Sequence, residues 1–177
     1  MNQVEQAIFD AVLRINPRPG TLLDIGCGNA FFAQTLASAL PQTAITGLDP
    51  AYPRRPVSTR IEFVQCNVES LPFGAGTFDV LTASKSLHHW SDKKKGLAEA
   101  YRVLKSGGWL IIGDPLLQGW LEKPYLAWLV RLLDSGTISP YGELVSQLEE
   151  TGYQAIDIAM IPKSMNSLYL IRAQKEG

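Results

Sequence analysis

Leu22-Leu23-Asp24-Ile25-Gly26-Cys27-Gly28-Asn29-Ala30 is the stretch on which the reading of this chain turns. Leu22, Leu23 and Ile25 have the apolar character of a buried parallel strand, and an acid, Asp24, sits inside it. Gly26-x-Gly28 follows, and a helix-like run from Phe31 to Leu40 begins at once. A chain turning from strand straight into helix needs glycine for tight dihedrals and for close backbone approach to a ligand. The amides at a new helix start can hold a negatively charged group. The stretch therefore predicts a nucleotide-type cofactor site.

Gly26-x-Gly28 alone is a weak signal, because short glycine patterns recur by chance. Three features sharpen it. Asp24 stands where a nicotinamide-binding fingerprint has an apolar residue, and Phe31 stands where that fingerprint wants a third glycine or alanine. Ala44-Ile45-Thr46-Gly47-Leu48-Asp49 reads as a second strand ending in an acid, and a carboxylate there can accept both hydroxyls of a ribose. An acid before the glycines suits a cationic ammonium group. S-adenosylmethionine has an ammonium, a ribose and no phosphate.

Further blocks stand in order: Glu69-Ser70-Leu71-Pro72-Phe73, Phe78-Asp79-Val80-Leu81, Leu87-His88-His89-Trp90, Arg102-Val103-Leu104-Lys105-Ser106-Gly107-Gly108 and Glu150-Thr151-Gly152-Tyr153. With the glycine turn and Gly47-Leu48-Asp49, they make the chain resemble a class I S-adenosylmethionine-dependent methyltransferase. The resemblance is to the small-molecule type related to the ubiquinone/menaquinone biosynthesis methyltransferases, and it runs from Thr21 to Ala173. It implies an α/β fold: a Rossmann-like doubly wound sheet of seven strands, mostly parallel with a C-terminal antiparallel pair, and helices on both faces.

The 177 residues suit one domain, 1–177. A net charge of −1 favours neither nucleic acid nor an anionic membrane. No apolar run has spanning length and no charged-then-apolar leader opens the chain, so a soluble cytoplasmic protein is expected. Cys27 and Cys66 show neither metal nor redox spacing, and no metal site is expected.

Val4, Ala7, Ile8, Ala11, Val12 and Ile15 recur at helical spacing, so residues 1–20 hold an N-terminal helix ended by Pro17, Pro19 and Gly20. Strand-like runs follow at Thr21–Ile25, Ala44–Leu48, Ile61–Gln65, Phe78–Ala83 and Trp109–Gly113, with helical stretches between most of them. Between Asp49 and Ile61, Pro50, Pro53 and Pro56 with Arg54 and Arg55 argue against a regular helix. That leaves part of one sheet face thinly covered, with the N-terminal helix as the candidate cover. Residues 115–140 read as a helical lid or interface insertion, in which Pro124 starts a helix and Leu121, Tyr125, Trp128, Leu129 and Leu132 fall at helical spacing. Tyr141–Thr151 reads as a helix closed by Gly152, and Tyr153–Ile161 and Ser167–Ala173 as the final strand pair.

The resemblance assigns the cofactor to Asp24, Gly26, Cys27 and Gly28 at the methionine end. Asp49 falls on the ribose, and Pro50, Asn67 and Val68 on the adenine. Ser84 falls near the ammonium, through the carbonyls that end the fourth strand. Asn67 stands where relatives carry aspartate; an amide can both accept from the adenine amino group and donate to a ring nitrogen. Ala30 stands where many relatives have glycine. Lys85 reads either as a cation for an anionic substrate or as a surface lysine with a solvated head. His88 is a candidate general base, because imidazole titrates near neutral pH, but the His88–His89 pair recurs in the family whatever the substrate and also reads as structural. The aromatic run from Trp120 to Trp128 is a lid, a dimer surface or ordinary packing.

The activity expected is methyl transfer to a small-molecule acceptor by a monomer or homodimer, with no nucleic-acid or membrane partner. A methyltransferase acting on RNA or protein is one alternative; the weak net charge argues against RNA, and a localised basic face around Arg54, Arg55 and Arg60 would revive it. A non-catalytic partner protein that keeps the fold is another. A nicotinamide-dependent enzyme is opposed by Asp24 and Phe31.

Overall fold

A computed structural model describes residues 1–51, 59–117, 137–162 and 168–177. Helix α1 (Gln3–Leu13) starts with a reciprocal cap. The Asn2 side chain accepts from the Glu5 N–H, and the Glu5 carboxylate accepts from the Asn2 N–H. Its apolar stripe, Val4, Ile8, Ala11 and Val12, is buried. Strands β1 (Thr21–Ile25), β2 (Ala44–Asp49), β3 (Ile61–Gln65), β4 (Phe78–Ser84) and β5 (Leu104–Leu117) run parallel to one another. The chain then continues through β6 (Ser139–Pro140), β7 (Tyr153–Met160) and β8 (Leu168–Lys175). Strand β8 inserts antiparallel between β5 and β7, so the order is β3-β2-β1-β4-β5-β8-β7, with β6 paired only to β5. This is the mostly parallel doubly wound sheet expected, with one short extra strand.

Helices α2 (Phe31–Ala39), α3 (Lys93–Val103) and α4 (Tyr141–Thr151) complete the layers. Alternation along β1 divides the core. Leu23 and Ile25 join Leu97, Ala100 and Leu144 on the α3/α4 face, whereas Leu22 joins Ile8, Phe32 and Leu36 on the α1/α2 face. Helix α1 packs on β4, β5 and β8, and α2 on β2 and β3. The N-terminal helix is therefore not the cover for the sheet near the Pro50–Pro56 link. Residues 52–58, including Pro53, Arg54, Arg55 and Pro56, lie outside the described residues. So do residues 118–136, which hold Trp120, Leu121, Pro124, Tyr125, Trp128, Leu129 and Leu132.

Strand β5 is longer than the run Trp109–Gly113 suggests. Residues 105–108 form an irregularity between the pairs Phe78–Leu104 and Val80–Trp109, so Leu104 joins the ladder early. At the other end, Leu116 and Leu117 pair with Ser139 and Pro140. The two ends of the 118–136 segment are thus held side by side. The chain runs outward from β1 to β2 and β3, then back across to β4 and β5. The carboxyl ends of β1 and β4 flank the point where that order reverses, which is where open α/β sheets bind ligands.

Candidate active site

The turn after β1 is fastened from two sides. The N–H groups of Gly26 and Cys27 both donate to the Leu48 carbonyl (2.7 and 3.0 Å), and the Gly28 N–H donates to Asp49 Oδ2 (2.9 Å). The Ser86 hydroxyl donates to the Ile25 carbonyl (2.9 Å). Gly26 and Gly28 hold φ of 72° and 53°, in the left-handed region. A Cβ on Gly26 would stand 2.4 Å from that of Ser86, so the close approach also requires glycine. The three amides of the turn are consumed by β2, and the start of α2, capped by Ala30, has no side-chain hydrogen bond. The amides of Gly26, Cys27 and Gly28 are thus engaged within the turn, whereas those at the start of α2 are taken by no side chain.

A cavity of about 290 Å3 opens over the carboxyl ends of β1, β2 and β4. Of the residues singled out in sequence, Gly26, Asp49, Pro50, Asn67, Val68 and Lys85 line it. Asp24, Cys27, Gly28, Ser84 and His88 are not on its wall. His89 and Trp90, which the sequence offers as part of the histidine pair and as core or pocket wall, line it too, as do Glu69 and Ser86, which the sequence reading did not assign to the site. Ser86 carries the one local signal that could have found it, its place directly after the Ser84-Lys85 pair at a strand end.

Asp49 Oδ1 also accepts from the Ala51 N–H (2.9 Å), so each carboxylate oxygen keeps lone-pair capacity for a further donor. Gln65 holds the Pro50 carbonyl (3.0 Å). The link from β3 to β4 contains no helix. Glu69 Oε1 fixes part of it by accepting from the N–H groups of Ser91 and Asp92 (2.8 and 3.1 Å). Trp90 backs the same wall, with its ring and Val68 closing over Gly96.

Beneath the turn, Asp24 is 2% exposed and accepts one hydrogen bond, from the Thr82 hydroxyl (2.8 Å). Burial raises its carboxyl from the ordinary 3.8 to about 7; Glu5 and Asp49 push the same way, and the Thr82 bond opposes them. The Cys27 thiol is pushed up chiefly by burial, which leaves its backbone as the part engaged in the turn. The Ser84 hydroxyl is buried with no hydrogen-bond partner among the described residues.

On the other side of β4, His88 Nδ1 meets Asp114 Oδ1 at 2.8 Å, and Asp114 Oδ2 accepts from the Leu87 N–H (3.0 Å). Asp114 is 1% exposed; burial raises its carboxyl, and the His88 contact opposes that rise. The sequence reading missed Asp114. Its signal was of the same kind as Asp24: an acid inside an apolar strand, in Ile112-Gly113-Asp114-Pro115. The His88 carbonyl accepts from the Thr137 N–H (2.7 Å), which ties the pair to the returning end of the 118–136 segment. Lys85 is exposed and adopts φ of 51°, unusual for a side-chain-bearing residue, with its N–H donated to the Gly113 carbonyl (2.7 Å).

A family model described as "Methyltransferase domain" matches residues 23–112, more than half of the chain. The chain belongs to the class I S-adenosylmethionine-dependent methyltransferase family. The ubiquinone/menaquinone biosynthesis C-methyltransferase UbiE of Klebsiella pneumoniae is 39% identical over 106 residues, covering 58% of this chain and 40% of that protein. The demethylmenaquinone methyltransferase of Thermus thermophilus is 28% identical over 153 residues, covering 77% and 70%. This chain spans about two fifths of the length of the first curated relatives it matches. Among solved structures, YcgJ of Bacillus subtilis superposes with a TM-score of 0.77 at 20% identity, covering 98% of each chain. The [4+2]-cyclase SpnF superposes with 0.79 at 18% identity, covering 98% of this chain and 80% of its own. At such identity the likeness concerns the methyltransferase fold alone. No helix among the described residues is long and apolar enough to cross a membrane.

S-adenosylmethionine is the cofactor of this family, and the residues present fit it. Asp49 can take a diol, and the buried Ser84 hydroxyl is unpartnered among the described residues.

Proposed function

We propose that this protein transfers a methyl group from S-adenosylmethionine to a small-molecule acceptor. The observation that carries the reading is the meeting of Gly26, Asp49 and Asn67 on one cavity at the point where the strand order reverses. In this reading Asp49 accepts the ribose hydroxyls. Pro50, Val68 and Trp90 enclose the adenine, and Asn67 reads its edge. Asp24 supplies the negative field for the ammonium group from beneath the turn, and Ser84 gains a partner there. When bound, the cofactor supplies a methyl group already made electrophilic by its sulfonium.

What remains for the protein is to align a nucleophile, keep water out and remove a proton where the acceptor carries one. His88 is the base in this account. Asp114 holds it by Nδ1, so that the imidazole is oriented and its charged form is stabilised. Lys85, a cation on the cavity wall, suits an acceptor with an anionic group. Residues 115–140, the lid or insertion expected from sequence, are assigned to the acceptor side, a reading supported by the Thr137 N–H donating to the His88 carbonyl. The relatives named for quinone methylation are consistent with a hydroxylated ring as acceptor.

The test is label transfer. Purified protein with methyl-labelled S-adenosylmethionine is offered separately the small-molecule, RNA and protein fractions of a cell extract. Label in the small-molecule fraction, reduced about 100-fold or more in His88→Ala, is expected. Label confined to RNA or protein would replace the reading with a macromolecular methyltransferase.

A further inference from the structure

The adenine wall is built on a connection that has no secondary structure of its own. Residues 66–77 join β3 to β4 without a helix, yet Asn67, Val68 and Glu69 must present themselves to the cavity in a fixed way. Backbone in irregular segments needs partners elsewhere, and here two side chains of α3 supply three of them. Arg102 Nη1 donates to the Phe73 carbonyl (2.7 Å) and Nη2 to the Leu71 carbonyl (3.0 Å). Glu99, one turn earlier, accepts from Arg102 Nε and Nη2 (2.7 and 2.8 Å) and from the Leu71 N–H (2.9 Å). Both polar groups of the Leu71 backbone are therefore held by α3. Leu71 is in turn buried in the α3-side core, and the Ser70 N–H donates to the Asn67 carbonyl (3.2 Å). The hold on Leu71 thus reaches Asn67 through Ser70, its neighbour in the chain.

We propose that Arg102, oriented by Glu99, is a positioning residue for adenine recognition: it sets the cavity-facing conformation of Asn67 and Val68 while lying outside the cavity itself. The planar guanidinium is required, because two carbonyls and one carboxylate are engaged at fixed angles; a lysine offers a point charge without that fork. The proposal rests on the reading of the cavity as the S-adenosylmethionine site.

Calorimetry with S-adenosylhomocysteine tests it, on wild type, Arg102→Lys, Asn67→Ala and the double variant. Wild type binds. Arg102→Lys raises Kd about tenfold, and Asn67→Ala raises it by a similar factor. The double variant is no more than about threefold worse than either alone, because Arg102 acts through Asn67. A purely structural role for Arg102 would instead multiply the two losses, to about 100-fold, and that result overturns the proposal. Unchanged Kd in Arg102→Lys overturns it as well. Should Arg102→Lys fail to fold, Glu99→Gln probes the same link. There about a threefold rise that does not add to the Asn67→Ala loss is expected, and no rise counts against the proposal. Failure of wild type to bind would sink the cofactor reading itself, which is a different outcome from binding that ignores Arg102.

Discussion

Replacing Asp24 by Asn should make the protein more stable above neutral pH and a weaker binder of its cofactor. Asp24 is buried, has among the described residues one hydrogen bond and no cationic partner, and has its carboxyl raised by burial from 3.8 to about 7. The sign follows from proton linkage. The folded state holds a proton that the unfolded chain loses above about pH 4. The contribution of Asp24 to stability is therefore fully present below pH 3.8, declines as pH rises, and is lost by about pH 7. Across that window, at ~1.36 kcal/mol per pH unit, the loss amounts to about 4 kcal/mol. Asparagine resembles the neutral acid and does not titrate. It can still accept from Thr82, and an NH2 group left without an acceptor there costs about 1–3 kcal/mol. At pH 8 the variant should therefore gain roughly 1–3 kcal/mol, and at pH 4.5 it should be less stable than wild type. Urea unfolding of both proteins from pH 4.5 to 8.5 measures the difference. A difference that stays constant with pH would refute the reasoning. Binding of S-adenosylhomocysteine at pH 6.5 should likewise release protons from Asp24, seen as a buffer-dependent enthalpy, and Asp24→Asn should abolish the release.

Gly26→Ala should cost about 2–4 kcal/mol, since the new Cβ meets Ser86 and the backbone is left-handed; guanidinium unfolding checks it. Lys85→Gly should relieve a left-handed backbone and stabilise the protein by up to about 1 kcal/mol, read as a higher melting temperature; a lower one would place the strain elsewhere. Asp114→Asn keeps the bond to the Leu87 N–H but loses the charge facing His88. By NMR, the chain having only two histidines, the imidazole pKa of His88 should fall by one unit or more relative to wild type, and an unchanged value would remove Asp114 from its proposed role.

The meeting of Gly26 and Asp49 on one cavity was legible because its signals are local. A glycine turn after an apolar strand, and an acid closing the next strand, each fit within a few residues, and the carboxyl ends of parallel strands bring them together. The Asn67-Val68 step was readable only through resemblance, for its position depends on Arg102 and Glu99, some thirty residues away along the chain. Nothing in the Arg102-Val103-Leu104 block distinguishes a clamp from a solvated helix face. Asp114 was hidden for a related reason. Its partner His88 lies on another element, and only the β4–β5 pairing brings the two within 2.8 Å. The length of β5 was underestimated because Gly107-Gly108 resembles the end of a turn, whereas here it forms an irregularity within the strand.

The central claim is that the cavity over β1, β2 and β4 binds S-adenosylmethionine through Asp49. Calorimetric titration of wild type and Asp49→Ala with S-adenosylmethionine and S-adenosylhomocysteine, with NAD alongside, tests it most directly. The account predicts binding of the first two to wild type, at least 30-fold weaker binding or none in the variant, and none of NAD. Wild type that binds neither adenosyl ligand, or a variant that binds both as well as wild type does, would contradict it.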